Sequence, residues 1–141
     1  MKYAIVYWSR FGNNQKIVSA LEPMLAGKGQ VTVIKAGTPE AAKLPDADVY
    51  IFSAAAERFS IQTDMKKLMK DLRGMEGKKY ALINTHALKF KSWLGRMNKL
   101  LAKSGMTRIA ETAFLMGPGT DKGNGLGAGW EKQLEEFAGK L

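Results

Sequence analysis

The sequence predicts an α/β fold, with a five-stranded parallel sheet covered by helices on both faces. Two observations predict it. Five short apolar runs alternate with segments whose apolar residues recur at helical spacing, the pattern of βαβ units. In addition, 141 residues with 45% hydrophobic side chains suit one core, whereas two cores would each be small and marginal. The expected organisation is therefore a single domain over residues 1–141.

The first run is Tyr3 to Trp8. Ile17, Val18, Leu21, Met24 and Leu25 follow along one face of a helix, which Pro23 is expected to interrupt or kink. The second run, Val31 to Ile34, is short and β-branched, and a connection through Pro39 and Pro45 leads to the third, Val49 to Phe52. Met65, Leu68, Met69 and Leu72 line the next helix, opposite Lys66, Lys67 and Lys70. The fourth run, Tyr80 to Ile83, leads to a helix with Leu94, Met97, Leu100 and Leu101 inward and Arg96, Lys99 and Lys103 outward. The fifth is Ile109 to Met116, and Trp130, Leu134, Phe137 and Leu141 mark the last amphipathic helix. Between them, Gly117 to Gly129 is rich in glycine and reads as a connector, with partner binding as the other use.

Composition narrows the chemistry. With no cysteine, disulfides, thiolate metal sites and Cys nucleophiles are excluded. The lone histidine has no clustered metal ligands, so no metal site is expected. The N-terminal apolar run is too short to span a bilayer and lacks a small-residue cleavage site, so it reads as a strand of a soluble, cytoplasmic protein. Lys and Arg outnumber Asp and Glu by 22 to 13, for a net charge of +9 and a pI near 9.8. That field favours anionic partners. The basic residues 89, 91, 96, 99, 103 and 108 fall where any solvated helix face carries them, and nucleic acid is not assigned as a partner.

In an open parallel sheet, ligands bind beyond the carboxyl ends of the strands, where strand order reverses. Attention therefore falls on the turns after the first, third and fourth runs. The first is Ser9-Arg10-Phe11-Gly12-Asn13-Asn14, leading straight into a helix. A phosphate at a helix N-terminus meets unpaired N–H groups and the positive end of the dipole. Gly12 lets the backbone wrap closely, Ser9, Asn13 and Asn14 offer donors, and Arg10 adds charge. A plain turn whose asparagine caps the helix accounts for the same residues, and both readings stay open. A Walker loop needs Gly-Lys-Ser/Thr and a dinucleotide fingerprint three spaced glycines; neither occurs here. A phospho-receiver would place carboxylates where this chain has Trp8-Ser9 and Phe52-Ser53.

Tyr7-Trp8-Ser9-Arg10-Phe11-Gly12-Asn13-Asn14 at the end of a first strand resembles the FMN phosphate loop of the flavodoxin family. The family pattern is Ser/Thr, any residue, Ser/Thr, Gly, any residue, Ser/Thr. The form with an aromatic third residue is similar to the flavodoxin domains of flavodiiron proteins and to small flavodoxins. Phe11 and Asn14 depart from the pattern, standing where hydroxyls usually meet the phosphate. The resemblance covers essentially the whole chain and is to the short-chain class. It implies a flavodoxin-like three-layer sandwich with strand order 2-1-3-4-5, FMN as cofactor, and electron transfer between redox partners.

The resemblance also places the flavin ring between the loops after the third and fourth strands. In Ser53 to Ser60, the small Ala54, Ala55 and Ala56 would let a flat ring approach the backbone. Phe59 is a candidate for stacking or for the core. Arg58 would stabilise an anionic reduced flavin, or is a solvated surface arginine. The family often has a glycine in this loop, whose peptide flips to hold the one-electron-reduced ring; none occurs between 53 and 60. In the second loop, Thr85, His86 and Ala87 would offer backbone amides to the flavin carbonyls, with His86 as a proton donor in a second role. Phe90 and Trp93 are ring contacts or packing residues. An electron carrier needs no catalytic side chain, and its partner would be acidic. The alternatives are an FMN-dependent NAD(P)H reductase or oxidase, and a flavin-free binding module.

Overall fold

The computed structural model describes residues 1–10, 12–57, 60–87, 91–116 and 125–141. Five parallel strands form the sheet: β1 (Lys2–Tyr7), β2 (Gln30–Lys35), β3 (Val49–Glu57), β5 (Lys79–His86) and β6 (Thr107–Leu115), in the order β2-β1-β3-β5-β6. Counting the parallel strands alone, this is the expected 2-1-3-4-5. β4 (Ser60–Ile61), a two-residue strand antiparallel to the end of β3, is an addition to the five expected strands. Among the described residues four α-helices, α1 (Asn13–Ala26), α2 (Thr63–Asp71), α3 (Leu94–Leu100) and α4 (Trp130–Ala138), and a short 3-10 helix, Pro39–Ala42, complete the fold.

Strand pleating divides the interior into two cores, because successive side chains point to opposite faces. Tyr3, Ile5 and Tyr7 of β1, Val49 and Ile51 of β3, and Ala81 and Ile83 of β5 join Ile17, Leu21 and Leu25 of α1 and Leu134 and Phe137 of α4. Ala4, Val6, Tyr50, Phe52, Tyr80 and Leu82 point the other way, onto Met65 and Met69 of α2 and Met97 of α3. Because the central strands are covered on both faces, their runs are continuously apolar rather than alternating.

Two boundaries differ from the sequence expectation. β3 continues through Ser53-Ala54-Ala55-Ala56-Glu57, read as a loop, and β5 through Asn84-Thr85-His86. Parallel pairing holds them in register, with Ser53 opposite Ile83, Ala54 opposite Asn84 and Ala55 opposite Thr85. Neighbouring strands thus outweigh the weak strand preference of alanine and asparagine. Pro23 does not interrupt α1, which runs on to Ala26 with Pro23 exposed.

Candidate functional site at the carboxyl edge of the sheet

β1 lies between β2 and β3, so the chain leaves in opposite directions from β1 and β3 and a crevice opens at their carboxyl ends. Gly12, the residue before α1, has φ of +88°, a left-handed conformation that costs other residues about 1–2 kcal/mol. Ser9 Oγ accepts from Gly12 N at 3.1 Å and from Gln15 N at 3.2 Å, winding the turn around one oxygen. The α1 N-terminus has no acidic residue in its first turn and no side-chain cap from its N-cap residue. By contrast, α2 has Gln62 Oε1 accepting from Met65 N at 3.0 Å and Asp64 in its first turn, and α4 has Glu131. Ser9 Oγ thus caps one first-turn amide of α1, and no carboxylate in that turn offsets the positive end of the longest helix described, which favours an anion beside it.

Asn14 holds the crevice together from below. Its side-chain amide donates to Trp8 O at 3.1 Å and to Thr85 Oγ1 at 3.3 Å, and its Oδ1 accepts from Ser53 Oγ at 2.9 Å. One side chain, only 2% exposed, thus ties the end of β1 to β3 and β5. Both amide hydrogens are used within the protein, so Asn14 acts as a strut in place of the expected anion donor. Asn84 does similar work on the other face: it donates to Ala54 O at 3.1 Å and accepts from Trp93 N at 2.9 Å. Asn13 Oδ1 accepts from Gly125 N at 3.0 Å, fastening the far end of the glycine-rich connector to the first turn.

Ser9, Arg10, Asn13, Asn14, Ala55, Ala56, Thr85, His86 and Ala87 come together around one open cleft of about 110 Å³. Gly12 sits in the turn beside them. Two expected residues are elsewhere. Ala54 is fully buried in the core beneath α2 and α3, because pleating turns it away from Ala55. Trp93, 6% exposed, packs in the same core, with Lys91 Nζ 5.3 Å from its ring centroid. Phe11, Arg58, Phe59 and Phe90 lie outside the described residues. Met116, which the sequence reading did not assign to the site, also lines the cleft, and its N–H donates to His86 O at 2.7 Å. Its place at the end of the fifth apolar run, on the same sheet edge, was the available signal. Among the described residues no group of three or more His, Asp or Glu side chains could hold a metal ion.

Solved structures share this architecture along the whole chain. A flavodoxin from Streptococcus pneumoniae TIGR4 superimposes with a TM-score of 0.75 at 19% identity, over 100% of this chain and 97% of that one. A short-chain flavodoxin associated with a PDU bacterial microcompartment gives a TM-score of 0.76 at 16% identity, over 100% and 96%. This chain has the flavodoxin-like fold. The rubredoxin oxygen:oxidoreductase of Desulfovibrio gigas contains the same fold as a part: the TM-score is 0.75 at 14% identity, with 99% of this chain matching 35% of that one. No protein-family model and no curated protein matches the sequence.

The residues present suit a ligand with an anionic head and a flat body. The turn over α1 offers the positive end of a dipole and the Ser9 hydroxyl, while Ala55, Ala56 and Ala87 have short side chains that leave the strand-end backbone approachable. The cleft itself has room for a phosphate-sized group; complete small-molecule pockets start at roughly 300 Å³.

Proposed function

We propose that this protein binds FMN non-covalently at the carboxyl edge of its sheet and carries electrons between redox partners in the cytoplasm. The observation that carries the reading is the convergence of three segments on one cleft: the Ser9–Asn13 turn, Ala55–Ala56 of β3, and Thr85–Ala87 at the end of β5. The likeness of the whole chain to solved flavodoxins supports it. Ser9, Gly12 and Asn13 would hold the phosphate, and the strand-end residues would hold the ring, with Ala87 at its polar edge; Thr85 and His86, expected to offer loop amides, lie within β5 and pair with its neighbours, so they would wall the site instead. Bound FMN would supply one- and two-electron chemistry; the chain has no cysteine, and the described residues form no metal-binding cluster. The protein's part is to bind, to orient and to limit water.

Titrating FMN with the purified protein tests this directly. Quenching of flavin fluorescence at a one-to-one ratio is expected. Gly12→Val, which forces a β-branched residue to positive φ, should weaken binding at least about tenfold, equivalent to about 1.4 kcal/mol. Full FMN fluorescence at saturating protein would remove the assignment. A second reading, an FMN-dependent NAD(P)H reductase or oxidase, is favoured by the absence of glycine from Ser53 to Ser60, where the backbone instead pairs as β3 and β4. Redox titration separates them: two resolved one-electron steps mark a carrier, and a single two-electron step with rapid reduction by NAD(P)H marks the enzyme.

A further inference from the structure

The excess positive charge is not spread evenly. Two cavities of about 600 and 400 Å³ between α2 and α3 share Lys66, Arg96 and Lys99 on their common border and so adjoin along one basic trough. Lys70, Arg73 and Lys103 line its far half, and Lys91 stands at its near end. Among the described residues, no carboxylate lines either cavity. The ion pairs formed among described residues, Lys78–Asp46 and Arg108–Glu111, involve none of these seven cations. On the other flank of α2, by contrast, Lys67 shares a cavity with Asp64 and Asp71.

Such an arrangement opposes folding. Lys66 with Lys70 in α2 and Arg96 with Lys99 in α3 are like-charge pairs at i,i+4 and i,i+3 spacing, which destabilise a helix, and Lys103 adds a cation in the turn just past α3. A partner bearing the opposite charge would relieve that repulsion. We propose that the α2–α3 trough docks an acidic helix of a partner protein. A gap between two helices matches the shape of a third, and Leu100 and Ala102 give its lining an apolar component. Nucleic acid suits it less: Trp93 is the one aromatic ring lining either cavity among the described residues, and it is buried, so bases have no platform to stack on.

The trough also ends beside the cleft. Ala56 lines the cleft, and the β3–β4 ladder pairs Ala56 with Ile61 and Glu57 with Ser60; Ser60 in turn lines the near end of the trough. Its buried hydroxyl has no hydrogen-bond partner among the described residues. The cleft wall at Ala56 and the trough end at Ser60 thus stand on adjacent paired strands, whose backbones lie about 5 Å apart. That the docked protein exchanges electrons rests on the carrier reading above; that it docks here does not.

The test uses a fluorescent amphipathic peptide of glutamate and leucine in helical register, with anisotropy read at about 0.1 M salt, where exposed charges more than about 10 Å apart are largely screened, with and without added FMN. Arg96→Glu combined with Lys99→Glu should weaken peptide binding about tenfold or more, as should Lys70→Glu combined with Lys103→Glu at the far end. Lys132→Glu combined with Lys140→Glu changes net charge equally on the α4 side and should cost less than about twofold. Equal losses in all three variants would reduce the effect to bulk charge and overturn the proposal. Tighter binding of a thymidine oligonucleotide of matched charge, or of phosphatidylserine vesicles, would overturn it in favour of those partners. Peptide binding with trough-specific loss but no FMN quenching would sustain the dock and remove the flavin reading. FMN quenching with indifferent trough variants would do the reverse.

Discussion

At the scale of single residues, Asn14 shows best how the site is built. Its side chain bridges Trp8, Ser53 and Thr85, the last of them 71 positions away in sequence. Replacing it with leucine removes both donors and the acceptor, leaving the buried Ser53 and Thr85 hydroxyls short of partners. At about 1–3 kcal/mol for each buried group left unsatisfied, the expected loss is about 3 kcal/mol or more. Thermal unfolding should show it as a fall of roughly 10 °C. A change within about 2 °C would mean that the network contributes little and that Asn14 is held for another reason. The sequence identified the turn, its glycine and its place before a helix, because those depend on neighbouring residues. It did not show where the Asn14 amide points, because that is decided by strands that arrive much later in the chain. Trp93 was ambiguous for a related reason. An aromatic before a helix can face either a ligand or the core, and here Asn84 accepts from the backbone N–H of Trp93 and fixes the segment against the sheet, with the ring in the core.

At the scale of elements, the periodicity of the chain was readable wherever one face is plainly apolar. The helical spacing of Met65, Met69 and Met97 is realised, with all three fully buried beneath the sheet. Strand ends were less legible. Ser53 to Glu57 has no long apolar side chain, and its extended conformation comes from the pairing of Ala54 with Asn84 and Ala55 with Thr85. That matters for the site, because residues on paired strands are held more rigidly than residues on loops. α1 carries the opposite lesson. Pro23 has no N–H to donate to the Ser19 carbonyl one turn earlier, yet the helix persists, with both residues exposed so that water can reach the orphaned carbonyl. The surrounding contacts of Ile17, Leu21 and Leu25 with the sheet hold the turn in place. Pro23→Ala should therefore stabilise the protein, by about 1 kcal/mol and up to the roughly 3 kcal/mol by which the two residues differ in helix interiors. Chemical denaturation measures it, and a destabilised variant would show that the proline ring has a packing role in α1.

At the scale of the whole molecule, the two cores share a response to alkali. Tyr3 on the α1–α4 side and Tyr50 and Tyr80 on the α2–α3 side are all buried, and burial is the main reason that each phenol titrates above its ordinary value of 10.0. The sign follows from proton counts. Between the unfolded and folded values the native state holds more protons than the unfolded chain, so stability is complete below about pH 10 and falls as pH rises through the folded values. Lysine deprotonation acts oppositely in this basic chain, since it relieves repulsion over the same range. A difference between variants separates the two, because the lysines are common to both. Tyr50 donates to Pro45 O at 2.6 Å and accepts from Ala47 N at 3.1 Å, so Tyr50→Phe should cost about 1–2 kcal/mol at neutral pH. Above pH 10 the gap between wild type and variant should narrow, because only the wild type must ionise or keep neutral a buried phenol at position 50. Urea denaturation of both proteins across that range reads the gap directly. A gap that stays constant or widens with pH would mean that burial does not hold the Tyr50 proton in the folded state.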